Sequence, residues 1–104
     1  MATNAQILRT AIRNRQQVTG YYDGFYREMC PHAIGWKGMK YHVLSFQFAG
    51  QSSKTLPPNG EWKCMDVDGL SGLSVSNGPW HTGPIHSRPS VCFDPGRIEV
   101  EVSY

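Results

Sequence analysis

In MCPHAIGWKGMKYHVLSFQFAG, residues 29–50, two histidines and four aromatic side chains fall within 22 positions. From Lys40 to Phe48 the chain alternates. Tyr41, Val43, Ser45 and Gln47 face one side of a strand, and His42, Leu44, Phe46 and Phe48 the other, the period-two split of a strand with one face in a core. Ala33-Ile34-Gly35-Trp36 reads as the hairpin partner across a turn at Lys37-Gly38. Pro31 has no amide hydrogen to donate and is expected to break the ladder, ending an earlier strand at Cys30. On this register Leu44, Phe46 and Phe48 belong to the interior, while His32, Tyr41 and Gln47 look outward into a pocket. A slip of one residue exchanges the two sets.

The same punctuation continues outward. Val18 to Tyr22 carries β-branched and aromatic residues and stops at Asp23-Gly24, a dipeptide tolerant of positive φ, after which Phe25 to Cys30 returns as a hairpin. Residues 49–60, AGQSSKTLPPNG, read as a mobile loop. Glu61 to Val67 and Gly69 to Val75 resume strand character, and residues 80–89, WHTGPIHSRP, hold too many Gly and Pro for regular structure. The tail, Ile98 to Tyr104, alternates as a clean edge strand with its acids facing water. Before all of these, Ile7, Leu8, Ala11 and Ile12 recur at helical spacing, so a helix is expected over about 3–16, capped by Thr3 or Asn4. Arg9, Arg13 and Arg15 give it a cationic exposed side.

A chain of 104 residues is the size of one domain, so a single module spanning 1–104 is expected. Charged residues are only 17% of it, while Gly and Pro together number 18, a balance that favours short strands and tight turns. The net charge of +2 does not by itself imply a nucleic-acid partner. Its distribution is uneven. Residues 1–60 hold seven Lys or Arg against two acids, and residues 61–104 hold three against six. Cys30, Cys64 and Cys92 are odd in number and widely spaced, which argues against a disulfide framework and for a reducing interior. The first 20 residues lack the apolar run of a signal peptide, and no stretch approaches a membrane span. A cytoplasmic protein with no membrane association is the expectation.

Catalytic and metal signatures are weak. The pairs Cys30-x-His32 and His81-x4-His86 do not match the closely spaced ligand pairs of structural zinc, so no metal is expected. There is no G-x-S-x-G elbow, no phosphate loop and no carboxylate pairing that points to acid and base, so neither catalysis nor a cofactor is expected. Binding is what the residue types allow. Aromatic rings stack on bases and cations neutralise phosphate, and Tyr22, Arg27, Trp36, Lys40, Tyr41, Trp62 and Lys63 supply both.

The order of these segments resembles the WYL domain, a small Sm-like, SH3-type β-barrel known mostly as the sensory half of bacterial transcription regulators. AIRNRQQVTGYYDG looks like that family's opening helix and first strand, and CPHAIGW resembles its E-P-H-x-L-G turn. YHVLSFQFAG sits where the name-giving tripeptide and its strand belong. GEWKCMDVDGLSGL resembles the F-R-x-D-R-I strand, and CFDPGR the Y-N-P-G-D ending of compact, stand-alone members. The resemblance implies an all-β fold with an N-terminal α-helix, its barrel over about 18–104, and a matching Pro31-His32. Tyr41-His42-Val43 replaces Trp-Tyr-Leu, and Asp66 and Gly69 stand where members commonly carry arginines that face anionic ligands. Lys63, Arg27 and Lys40 are the cations left to compensate.

No helix-turn-helix precedes the barrel, so the expectation is a stand-alone sensor, sequestering protein or accessory subunit and not a complete repressor. It would bind a nucleotide, an oligonucleotide or another small anionic ligand, single-stranded nucleic acid included, through Tyr22, Arg27, His32, Lys40, Tyr41, Gln47, Trp62 and Lys63. The competing expectation is an interaction module, a homodimer for instance, paired through the strand edge at Ile98–Val102 or through the edge of the first strand.

Overall fold

The computed structural model describes residues 2–52, 55–83 and 91–103. Helix α1 (Asn4–Asn14) precedes β1 (Gln17–Tyr22), β2 (Phe25–Lys37), β3 (Lys40–Gly50) and β4 (Glu61–Asp66). A single 3₁₀ turn, Val67–Gly69, leads to β5 (Ser71–Ser76), and β6 (Ile98–Glu101) comes last. Among the described residues all strand pairings are antiparallel, in the order β4-β3-β2-β1-β5, with β6 added to β2. This is a mostly β fold with one N-terminal helix, as the sequence pattern leads one to expect. Among the described residues no ladder joins β4 to β5, so the sheet is not closed.

Helix α1 starts where its cap predicts. Thr3 Oγ1 accepts the Gln6 amide and Gln6 Oε1 accepts the Thr3 amide, a reciprocal pair that satisfies two free donors of the first turn. Leu8, Ala11 and Ile12 are fully buried, and each of the larger two contributes roughly 1.5–3 kcal/mol. Asn4 Nδ2 donates to the carbonyls of Val67 and Leu70, which fastens the helix over the 3₁₀ turn. The hairpin at Asp23-Gly24 has positive φ at both residues, 53° and 79°, matching the twist of the strands it joins.

Pro31 does not break the ladder, contrary to expectation. β2 runs unbroken for 13 residues. Its first part pairs β1 up to Met29 and its last part pairs β6 from Ala33, while β3 lies along its other edge. Pro31 falls in the interval between β1 and β6, beside a register shift against β3. A residue with no donor is tolerated at such a bulge.

The sheet has two cores. Val43, Ile34, Met29 and Met65 join Leu8, Ala11 and Ile12 under α1. The residues of opposite parity, Ala33, Leu44, Phe46 and Trp62, pack instead with Cys92 and Phe93. The alternation expected of β3 is therefore present, but both of its faces are covered, and Val43 to Gln47 are all buried. Hence the outward placement expected of His32 and Gln47 is corrected: both are fully buried.

The expectation against disulfides is also overturned. Cys64 and Cys92, 28 residues apart, are bridged, and Cys30 is free and buried. Spacing in the chain says little here, because β3 and β4 bring Cys64 to the face on which Cys92 and Phe93 settle. The segment after Cys92 closes the second core. Asp94 accepts the Gly38 amide at the β2–β3 turn, and its own amide donates to Trp36 O. Most of the irregular run expected at 80–89, with His86 and Arg88, lies outside the described residues, as do Lys54 and Tyr104.

Candidate functional site

The eight expected binding residues separate into four places. Tyr22, Arg27 and Gln47 form an internal clamp. Arg27 is buried, its Nε and Nη2 donate to Tyr22 O, and its Nη1 donates to Gln47 Oε1 at 3.1 Å. Its guanidinium lies over the rings of Tyr22 and Phe25. Gln47 Nε2 then donates to the carbonyls of Ala49 and Gln51 at the end of β3. Tyr22 OH accepts the Asp66 amide. Each polar group of this clamp that would meet a ligand is committed to the backbone or to another member.

His32 and Trp62 lie in the second core. The His32 ring is 4.6 Å from the ring of Trp62, edge-on, and 4.6 Å from that of Trp80. Its Nδ1 is 2.7 Å from Cys30 O. Burial holds its pKa down at about 4, opposed by the Cys30 hydrogen bond and assisted by the charge of Arg15. The ring is neutral at physiological pH. Lys63 is elsewhere again, on β4, paired with Glu61 at 3.0 Å and donating to Ser52 Oγ.

Lys40 and Tyr41 are the two that border an opening. A hollow of about 520 Å³ lies at the end of the β2–β3 hairpin, walled by Trp36, Met39, Lys40, Tyr41, Asp66, Asp68 and Gly69. Its position follows from topology: β4 ends at Asp66, and the 3₁₀ turn carries Asp68 and Gly69 past the mouth of the hairpin. The Trp36 and Tyr41 rings sit 4.5 Å apart. Both are fixed from behind by Glu99 on β6, whose carboxylate accepts from Trp36 Nε1 at 3.2 Å and from Tyr41 OH. Arg9 of α1 donates to Tyr41 OH at 3.2 Å and comes within 3.7 Å of Glu99. Glu99 is thus not only the water-facing acid expected of the tail strand. The Tyr41 hydrogen bond, with smaller help from Trp36 and Arg9, lowers the Glu99 pKa, while burial and the Glu99 contact raise that of Tyr41. Asp66 Oδ1 is 2.9 Å from His42 Nε2, which engages one oxygen of that carboxylate.

Beside the hollow is a group that the sequence reading did not assemble. His42 Nδ1 is 2.8 Å from Cys92 O and 3.5 Å from Cys64 Sγ. His42, Cys64 and Cys92 each place one ligand-type atom within 4.8 Å of the others. Cys64 is exposed, His42 half-buried and Cys92 buried. Alternation does place Trp62, Cys64 and Asp66 on one face of β4, and pairing sets His42 opposite Asp66. The arrival of Cys92 has no local signal in the chain. Trp36 was legible as an aromatic of suitable type, whereas Met39, Asp68, Arg9 and Glu99 become site residues only through the turn and through β6. Comparison with family models, with curated proteins and with solved structures finds no match to this chain.

Proposed function

We propose that this chain is a non-catalytic binding module whose ligand enters the hollow between Trp36, Tyr41, Asp66 and Asp68 with a positively charged group leading. Its support is the lining: two aromatic and two acidic residues share the wall, and Lys40 is the one cation among the described wall residues. A ring face attracts an ammonium or guanidinium through its quadrupole, and a neighbouring carboxylate adds a charge-assisted hydrogen bond. A lysine or arginine side chain on a peptide carries such a group next to apolar methylenes that Met39 and Trp36 would cover. An anionic ligand, the expectation from residue types, would need Arg27 and Lys63. Both are engaged away from the hollow. A phosphate set about 4 Å from one carboxylate in a partly screened site meets a repulsion on the order of 4 kcal/mol, which Lys40 alone offsets only once.

The strand order also supports the finer architectural reading, an Sm-like or SH3-type barrel. A meander from β1 to β4 followed by a 3₁₀ turn and a strand that returns to β1 is the path such a barrel takes. The WYL-like reading draws on that same path and on the five sequence fragments in order.

Calorimetric titration of the oxidised protein tests the function, with three sets of probes: lysine- and arginine-rich hexapeptides, simple polyamines, and a panel of nucleotides and short single strands. The cationic probes should bind, with at least a tenfold loss in Asp68→Asn and in Trp36→Leu and no change in Lys63→Ala. Nucleotide binding that requires Lys40 would reverse the charge assignment. Silence across the whole panel at millimolar concentration would remove the binding module altogether. A ligand-independent dimer in light scattering, abolished by deleting residues 98–103, would instead favour docking through the outer edge of β6.

A further inference from the structure

Closing a 28-residue loop takes two sulfurs and nothing more. Yet His42 stands against this bridge with Nδ1 3.5 Å from Cys64 Sγ, while its far nitrogen is held 2.9 Å from Asp66 Oδ1. Thiolate and imidazole are the donors that zinc selects. Bonds of about 2.3 Å to sulfur and about 2.0 Å to nitrogen put the ligand atoms of a tetrahedral ion roughly 3.5–3.8 Å apart. The nitrogen-to-sulfur separation at Cys64 already has that value. The sulfur-to-sulfur separation is the one that must grow, and breaking the bridge lets it. A carboxylate on the remote nitrogen of a metal-binding histidine is the usual outer partner, fixing the tautomer and the ring plane.

We propose that, when the bridge is reduced, Cys64, Cys92 and His42 bind one zinc ion and leave its fourth position to solvent. A dithiol reductant supplies two electrons and two protons to the sulfur–sulfur bond, giving two protein thiols and its own cyclic disulfide. Zinc then takes both thiolates, and the two thiol protons pass to water. His42 gives up its contact with Cys92 O: the Nδ1 proton that made it passes through water to Nε2, where it is directed at Asp66, and the freed Nδ1 lone pair turns to the ion. Cys64 lies at the surface, so the open coordination position faces solvent. Reoxidation re-forms the bridge and expels the ion, so the site holds either a covalent bond or a metal. Cys30 takes no part, being buried apart from this group with His81 N–H directed at its sulfur.

The inference does not rest on the ligand proposed for the hollow, which is tested in oxidised protein that has no thiolates to offer. Here the full chain is reduced under anaerobic conditions and titrated with Co²⁺ alone. Saturation at one equivalent, with thiolate-to-cobalt charge-transfer absorption that zinc then abolishes, is the expected result. Cys64→Ser and His42→Ala should each lower the affinity about 100-fold or more, Asp66→Asn about 10- to 100-fold, and Cys30→Ser not at all. No charge-transfer band, an affinity unchanged in His42→Ala, or a band that depends on Cys30 would overturn the assignment. Thermal unfolding gives a second readout that covers loss of structure on reduction. A reduced chain whose transition is restored by zinc supports the site, and one that zinc leaves unfolded refutes it.

Discussion

Acidification should unfold this protein through His32, and the size of the effect follows from where the ring sits. The side chain is fully buried between Trp62 and Trp80, and its pKa is lowered from 6.5 to about 4, chiefly by burial. The unfolded chain therefore takes a proton near pH 6.5, whereas the folded chain refuses it until about pH 4. The corresponding stabilisation is fully present above pH 6.5 and disappears as pH falls through 4. Over that interval it amounts to about 3 kcal/mol, with about 2 kcal/mol already gone at pH 5. For a chain of this size that lowers the melting temperature by roughly 10–20 °C. Carboxylates of lowered pKa such as Glu99 add a loss of the same sign, so the wild-type slope alone does not isolate the histidine. The difference from His32→Gln, which cannot be protonated, does. Denaturant unfolding of both proteins at half-unit steps from pH 7.5 to 4 should give curves that converge on acidification. Parallel curves, or a ring that titrates near 6.5 by NMR in the folded protein, would refute the burial argument.

Three further outcomes follow from the packing. Reducing the Cys64–Cys92 bridge with metal excluded by a chelator should cost about 3–4 kcal/mol by loop entropy for a 28-residue separation; a loss under 1 kcal/mol in denaturant unfolding would mean the bridge constrains little. Gly35→Ala builds a Cβ that meets Arg97 O at 2.4 Å and Ile98 Cα at 2.7 Å, so β6 must move, at about 1–3 kcal/mol, with faster hydrogen exchange at Val102 and Trp36; unchanged exchange there would contradict the close approach. Gln47→Leu keeps the volume but strips partners from Arg27 Nη1 and the Ala49 and Gln51 carbonyls, for a loss of about 3 kcal/mol or more; a variant as stable as the parent would show that water reaches the clamp.

Local rules made much of the fold legible. Asp23-Gly24 turns where its tolerance of positive φ predicts, the next hairpin turns at Gly38-Met39, one residue later than Lys37-Gly38, and the cap at Thr3 starts the helix on time. Pro31 misled because the rule for proline concerns a residue with strands paired on both sides. β2 changes neighbours at that point, from β1 to β6, and no local pattern reports a change of neighbour. Cys92 misled for a related reason: parity along β4 is local, but the return of the chain to that face is not. Alternation assigns one face of β3 to solvent and so places His32 and Gln47 outward. Small antiparallel sheets often leave one face wet, and here residues 91–93 cover the second.

The scattering of the expected site has one physical origin. Aromatic rings and guanidinium groups are suited to ligands for the same reasons that they are suited to cores: large apolar area, flat stacking surfaces and many donors. In a short chain with two cores to fill, the sheet faces claim them first. Trp62 and His32 go to one core, and Arg27 is spent holding the ends of β1 and β3 together. At the end of the sheet, where the hairpin stops, Tyr41 is only partly packed against the first core and, with Trp36, borders a hollow. Trp36, Lys40 and Tyr41 flank that turn, and Asp66 and Asp68 flank the 3₁₀ turn across from it. The hollow is therefore built from strand ends, and its charge comes from the acidic second half of the chain meeting the basic first half at one place. Residue type alone predicts rings and cations together. Topology delivers rings and acidic residues to one wall, with Lys40 the one cation among them.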